Sequence, residues 1–305
     1  MELHAAGFNA WNQLHFEARP GEVTADSEPD DISSFTRVLA AGDIGIPVSG
    51  LSFTLVETQG GKIVAAGFLE GDASEVSLRQ AYHSVTTATG ETLLNYEVKC
   101  SDIASGSQGS ELQSPLRSQN VQQLAAYDTG FVALLDDGSV WVKGDERFPN
   151  CLAVNPDEER TPGSWNRIQW LDDLPTGPIV RIAAGGYTLA ALTEGGDLYC
   201  WGGRPSQQPL FEGLSNMPIP VDVADGDVKD VALGERHIIV LTVDGHVLVR
   251  GSNKSGQLGL GQDGPTRVED WKRVENVPWN TNWDIERVAA GSKASFIITR
   301  RAGGK

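Results

Sequence analysis

The chain has 305 residues, with 24 lysines and arginines against 41 aspartates and glutamates, a formal charge of −17, and 40% hydrophobic residues. This is the composition of a water-soluble globular protein. A surface of this sign repels phosphate backbones and anionic lipid, which argues against direct binding to nucleic acid or membrane. The densest basic cluster is Arg300, Arg301 and Lys305. Cys100, Cys151 and Cys200 have neither disulfide-framework nor zinc-ligand spacing, so a reducing compartment, cytoplasm or nucleus, is expected, with no metal and no cofactor. The N-terminus has no secretory-signal pattern, and no apolar run approaches the length of a membrane span.

Taken in chain order, the first predicted element is a strand over residues 2–7. It leads into Gly7-Phe8-Asn9 and Gln13-Leu14, the same Gly-x-Asn-x-x-x-Gln-Leu spacing as Gly251-Ser252-Asn253 and Gln257-Leu258. A repeat follows at Gly42, Gly61 and Gly67, with Ile44 to Gly50 as an inserted loop, and a degenerate copy is expected at Ala81 to Tyr96 around Gly90. Tyr127, Gly138 and Gly144 open a regular series, continued by Gly185, Gly196 and Gly202 and by Gly234, Gly245 and Gly251. In these three copies the second and third markers fall 11 and 17 positions after the first. The last copy, at Gly291, supplies two strands before the sequence ends.

Each copy is an apolar run, a turn, a second run, an Asp-Gly or Gly-Gly turn and a third run, which reads as an antiparallel hairpin. Such a unit buries its faces only by stacking on others. The sequence therefore predicts an all-β fold: one β-propeller over residues 1–305, with loops at 17–36 and 98–120. Unit starts near 42, 79, 127, 185, 234 and 291 give six four-stranded blades, with seven as the alternative. The N-terminal strand is expected to complete the C-terminal blade and so close the ring.

The phrases Ala-Ala-Gly, Leu-Thr-x-x-Gly, Trp-Gly and Gly-Ser-Asn-Lys-Ser-Gly-Gln-Leu-Gly at 251–259 resemble the repeats of the regulator of chromosome condensation family. The resemblance covers about two-thirds of the chain, and its residues form the blade skeleton, so it speaks for fold more than for function. The founding member is a nucleotide-exchange factor for a nuclear small GTPase and a chromatin binder. The size and single-propeller layout are similar to the alpha-tubulin-suppressor and killer-toxin-insensitivity branch. That branch implies a small zinc-binding protein as partner, acting in tRNA wobble-uridine modification and diphthamide synthesis.

No Gly-x-Ser-x-Gly, Walker loop or His-Glu-x-x-His occurs, and His4, His237 and His246 occupy repeat positions suited to hydrogen bonding within strands. The expected function is a non-catalytic protein interaction scaffold, not an enzyme. The alternative is a guanine-nucleotide exchange factor or chromatin-associated adaptor, with a small GTPase the less favoured partner. Aromatic residues outside the core runs are candidate interface anchors: Trp279 and Trp283 first, then Trp271. Asp30 and Asp31 end an acidic stretch beginning at Glu17, which reads as a solvated loop or a docking strip for a basic partner.

Overall fold

The computed structural model describes residues 1–16, 29–69, 74–94, 120–153, 163–205, 207–224, 226–275, 277 and 282–303. Trp279, Cys100, residues 17–28 and residues 98–119 lie outside these. The chain divides into two compact units, one of Met1–Tyr82 with Lys229–Lys305 and one of His83–Val228.

The first unit begins with β1 (Glu2–Gly7), β2 (Ile32–Ala40), β3 (Val48–Ser49), β4 (Phe53–Thr58), β5 (Lys62–Gly67) and helix α1 (Glu75–Tyr82). The second unit holds β6 (Ser84–Thr86), β7 (Thr92–Leu94), β8 (Val121–Tyr127), β9 (Gly130–Leu135), β10 (Val140–Gly144), the helical turn α2 (Pro149–Leu152) and β11 (Asn166–Arg167). It continues through β12 (Ile179–Gly185), β13 (Thr188–Thr193), β14 (Leu198–Gly202) and β15 (Ile219–Val221). The chain then returns to the first unit with β16 (Val228–Leu233), β17 (His237–Thr242), β18 (Val247–Ser252), β19 (Arg267–Arg273), β20 (Trp283–Ala290) and β21 (Ala294–Arg301).

The strands form antiparallel sheets of propeller-blade type. Those of the second unit run β8-β9-β10-β11 and β12-β13-β14-β15. Those of the first run β16-β17-β18-β19, β3-β4-β5 and β20-β21-β1-β2. The last sheet draws on both ends of the sequence: β1 pairs with β21 from Glu2 opposite Thr299 to Gly7 opposite Ala294. The second strand of each blade is an apolar run because neighbours cover both its faces. Every residue of β9 and of β17 is buried.

Six or seven complete blades are not what the described residues form. They make five sheets of three or four strands, and the copy near Gly90 is reduced to the two-stranded ribbon β6-β7. Where that copy should have its inner strand, the chain forms α1 instead. Its sequence, Glu-Val-Ser-Leu-Arg-Gln-Ala-Tyr, is rich in helix formers, and Ser74 caps it by accepting the Ser77 N–H on Oγ at 3.3 Å. The ribbon still keeps the repeat turn, since Gly90 has φ +88° and donates its N–H to the Thr87 carbonyl.

A second correction concerns the first blade. Gly50, not Gly42, is its leading glycine, and Gly61 and Gly67 follow it at the regular 11 and 17 positions, so no insertion is needed. Gly50 closes the turn after β3 by donating to the Phe53 carbonyl at 3.0 Å, as Gly234 does to His237 and Gly291 to Ala294, both at 2.9 Å. In the hairpin turns only the glycine adopts positive φ: +82° at Gly138, +90° at Gly196 and +80° at Gly245. Each glycine N–H bonds the carbonyl three residues earlier, the geometry of a turn closed by a left-handed glycine bulge.

Candidate interaction surface

The third strand of every blade ends at one edge, and one bond recurs there. The residue after the terminal glycine donates its N–H to a carbonyl in the turn between the first and second strands. The five instances are Phe8 to Lys293, Phe68 to Ser52, Asp145 to Thr129, Gly203 to Tyr187 and Ser252 to Arg236, at 2.7 to 3.0 Å. The approach is close enough that a Cβ on Gly67 would lie 2.2 Å from the Ser52 carbonyl oxygen, and one on Gly202 the same distance from that of Tyr187.

Two of these edges continue into the same loop. In the first, Asn9 Oδ1 accepts the Leu14 N–H at 3.1 Å and Gln13 Oε1 accepts that of Trp11 at 2.9 Å. In the second, Asn253 Oδ1 accepts from Leu258 and Gln257 Oε1 from Ser255, both at 2.9 Å. Asn9, Gln13, Asn253 and Gln257 are all buried. The turn needs a left-handed residue, which is Gly256 at φ +73° in one loop and Asn12 at φ +56° in the other. The shared Asn, Gln and Leu are thus loop scaffold.

What the scaffold displays differs between repeats. Trp11 takes the slot of Ser255 and is 44% exposed. Phe68 and Leu51, each 50% exposed, take slots that other blades fill with Phe8, Asp145, Gly203 or Ser252 and with Asp128, Gly186, Glu235 or Ser292. The fold therefore demands no apolar side chain at any of the three positions. Two of them meet, the Trp11 and Phe68 rings lying 6.0 Å apart at an interplanar angle of 34°, and Leu51 is tied to the Trp11 loop through Gln13 Nε2, which donates to its carbonyl at 2.9 Å. Beside them the Lys293 ammonium sits 5.5 Å from the Phe8 ring centroid.

The second unit has its own aromatic group at an equivalent edge. Phe148 and Tyr187 lie 5.0 Å apart, and the Arg204 guanidinium covers both rings at 5.9 and 5.2 Å. Cys151 lies beneath, its Sγ 3.5 Å from the Tyr187 carbonyl oxygen, and burial pushes its thiol pKa up to about 12, so it is a packing residue and no nucleophile. Cys151 and Cys200 are both buried.

The sequence-predicted anchors are scattered. Trp283 starts β20 opposite Arg301 and is half-buried, Trp271 is half-buried in β19, and Trp279 is outside the described residues. Asp30 and Asp31 are exposed beside the Trp11 loop: Asp31 Oδ1 accepts the Asn9 N–H at 3.0 Å and the Asp30 carbonyl accepts from Asn9 Nδ2 at 3.3 Å. Trp11, Leu51 and Phe68 escaped the sequence reading, although an aromatic residue at a variable position of a duplicated loop was a signal for the first. Burial holds His4 and His237 neutral, with pKa values lowered to about 4. Among the described residues no group of three or more His, Cys, Asp or Glu could hold a metal ion, and no helix is long and apolar enough to cross a membrane.

Residues 179–204 and 228–257 match the family model of the Regulator of chromosome condensation (RCC1) repeat. The chain thus carries RCC1-like repeats in these two segments. This RCC1-like chain is 36% identical over 85 residues to the Regulator of chromosome condensation of Mus musculus, covering 27% of the chain and 20% of that protein. It is 28% identical over 184 residues to the RCC1 domain-containing protein RUG3, mitochondrial, of Arabidopsis thaliana, covering 59% and 40%. The solved structure of Prp20p from Saccharomyces cerevisiae is similar with a TM-score of 0.49 at 18% identity, over 90% of this chain and 60% of that one. The RCC1-like chain spans less than half the length of the curated relatives it matches.

Proposed function

We propose that this RCC1-like chain is a non-catalytic interaction propeller formed as one domain by residues 1–305, and that another protein docks on Trp11, Leu51 and Phe68. One observation carries the reading. Three slots in which other repeats accept serine, glycine or acid, with Phe8 alone sharing the aromatic character of Phe68, are here apolar and exposed, and are tied together by bonds around buried Gln13. Aromatic anchors in a preorganised setting are what dominates interface energetics, because little entropy is lost when they are covered.

The resemblance to the alpha-tubulin-suppressor branch makes a small zinc-binding protein of tRNA modification the first partner to test, in the cytoplasm or nucleus. Titrating that protein into the wild-type chain, Trp11→Ser and Trp283→Ala decides the site. Trp11→Ser is expected to lose about 2 kcal/mol of binding, the hot-spot scale. Loss confined to Trp283→Ala would move the site to the β20 end. Nucleotide release from small GTPases is measured in parallel. Prp20p is described by its binding to Gsp1p and histones, and stimulated release here would put the exchange-factor reading first.

A further inference from the structure

Resting on that reading, we propose that the occupant of the Trp11–Leu51–Phe68 patch is a cationic protein segment that carries an apolar anchor residue. The patch is apolar at its centre and acidic at its margin. Asp30 and Asp31 are exposed at the foot of the Trp11 loop, tied to it through Asn9. In the same unit Glu235 Oε2 accepts the Ser292 hydroxyl at 3.2 Å, one residue from the Lys293 that lies over Phe8. Aromatic faces beside carboxylates are a receptor for ammonium and guanidinium groups, since ring quadrupole and negative charge attract the same ligand. The molecule already uses this chemistry on itself, with the Lys293 ammonium over the Phe8 ring.

Global charge points the same way. A chain of formal charge −17 accelerates encounters with basic partners and opposes acidic ones. It also opposes a second copy of itself, so self-association through this patch is disfavoured. The apolar centre adds what charge alone lacks, a place for one buried side chain and hence a register for the segment.

The test uses three synthetic peptides as probes: one alternating leucine and lysine pairs, one with its leucines changed to serine, and one with its lysines changed to glutamate. Binding to the full chain is measured by calorimetry from low to physiological salt. The leucine–lysine peptide binds, its serine counterpart binds about tenfold more weakly, and the glutamate counterpart does not bind. Trp11→Ser, which copies the residue of the sister loop, weakens the first peptide about tenfold. Joint Asp30→Asn and Asp31→Asn substitution keeps the Asn9 contacts and flattens the salt dependence. Equal binding of the glutamate peptide, or of all basic peptides regardless of Trp11, overturns the inference. So does concentration-dependent dimerisation abolished by Trp11→Ser. A zinc-protein titration that depends on Trp11 while the leucine–lysine peptide fails would end the charge inference and leave the interaction reading standing.

Discussion

The buried carboxylate of Asp230 accepts the backbone N–H of Val288 at 3.0 Å on one oxygen and that of Val231 at 3.0 Å on the other, and so ties β16 to the inner strand of the next sheet. Gln123 occupies the same repeat slot in the second unit. Its Oε1 accepts the Ile182 N–H at 3.0 Å and its Nε2 donates to the Ile182 carbonyl at 2.7 Å. Both residues stand four positions before the end of the repeat's first run, at Gly234 and Tyr127. In these two repeats a polar side chain thus bonds inner strand to inner strand where apolar packing alone would not fix register.

Removing either side chain leaves buried backbone groups without partners. Asp230→Ala and Gln123→Ala are each expected to cost about 2–3 kcal/mol. Urea denaturation measures this, and a loss below about 0.5 kcal/mol would show that the clamp contributes only geometry.

Deleting residues 1–8 removes an inner strand, because β1 lies between β21 and β2. Both neighbours would then expose unpaired edges, Ile297 and Phe296 among the residues uncovered. A strongly lowered melting temperature or aggregation is expected. An unchanged melt would mean that β21 finds another cover.

His237 and His4 make stability depend on pH in a defined direction. Burial dominates at both; at His237 the Ala294 backbone partly offsets it, and at His4 the Glu2 carboxylate does so against the Arg37 guanidinium. Each has a folded-state pKa of about 4 against an ordinary 6.5. Between those values the unfolded chain holds more protons, so stability falls as pH drops from about 6.5 to about 4, by roughly 1.4 kcal/mol per pH unit for each group. Denaturation at a series of pH values should show this slope, and His237→Phe should remove its share.

Two glycines separate conformational strain from collision. At Gly245, φ is +80° and nothing lies within 4 Å of an added Cβ, so Gly245→Val pays for backbone strain alone, about 1–2 kcal/mol. At Gly67, φ is +84° and the Cβ would also strike the Ser52 carbonyl and Gln13. Gly67→Val is therefore expected to cost more and to displace the Trp11 loop, read out as a change in Trp11 fluorescence that Gly245→Val does not produce. Equal costs would mean that the edge at Gly67 yields freely.

Trp11→Ser should leave stability within about 0.5 kcal/mol, since Ser255 satisfies the identical loop. A larger loss would make Trp11 a packing residue and withdraw it from the proposed surface.

Blade hairpins were legible because their glycines are dictated locally: a left-handed turn residue and a close approach to a carbonyl both exclude side chains, and both recur at fixed spacing. The pairing of the termini was legible for the same reason, as Gly7 and Gly251 open identical loops. The missing inner strand before Gly90 was not, because the spacing of turn glycines carries no information about whether Glu75–Tyr82 prefers helix to strand. The phrase Ala40-Ala41-Gly42 mimics a repeat start, whereas the geometry asks only for a glycine two residues past Val48, which is Gly50. The exposed patch stayed hidden because Leu51, Ser52, Gln13 and Phe68 are joined by tertiary bonds that no linear spacing reveals.

The partnership of Glu2 with Thr299 sets a schedule for biosynthesis. Strand β1 is made before its neighbour β21 by an interval of roughly 15–60 s at ordinary ribosomal rates. Throughout it, the edge of β1 that pairs with β21 has no partner, although β2 can already pair with its other edge. Sequence-distant pairing of this kind slows folding and leaves apolar strands open to wrong partners. Nascent chains stalled before β21 should therefore be held by chaperones that release them once β21 has been made.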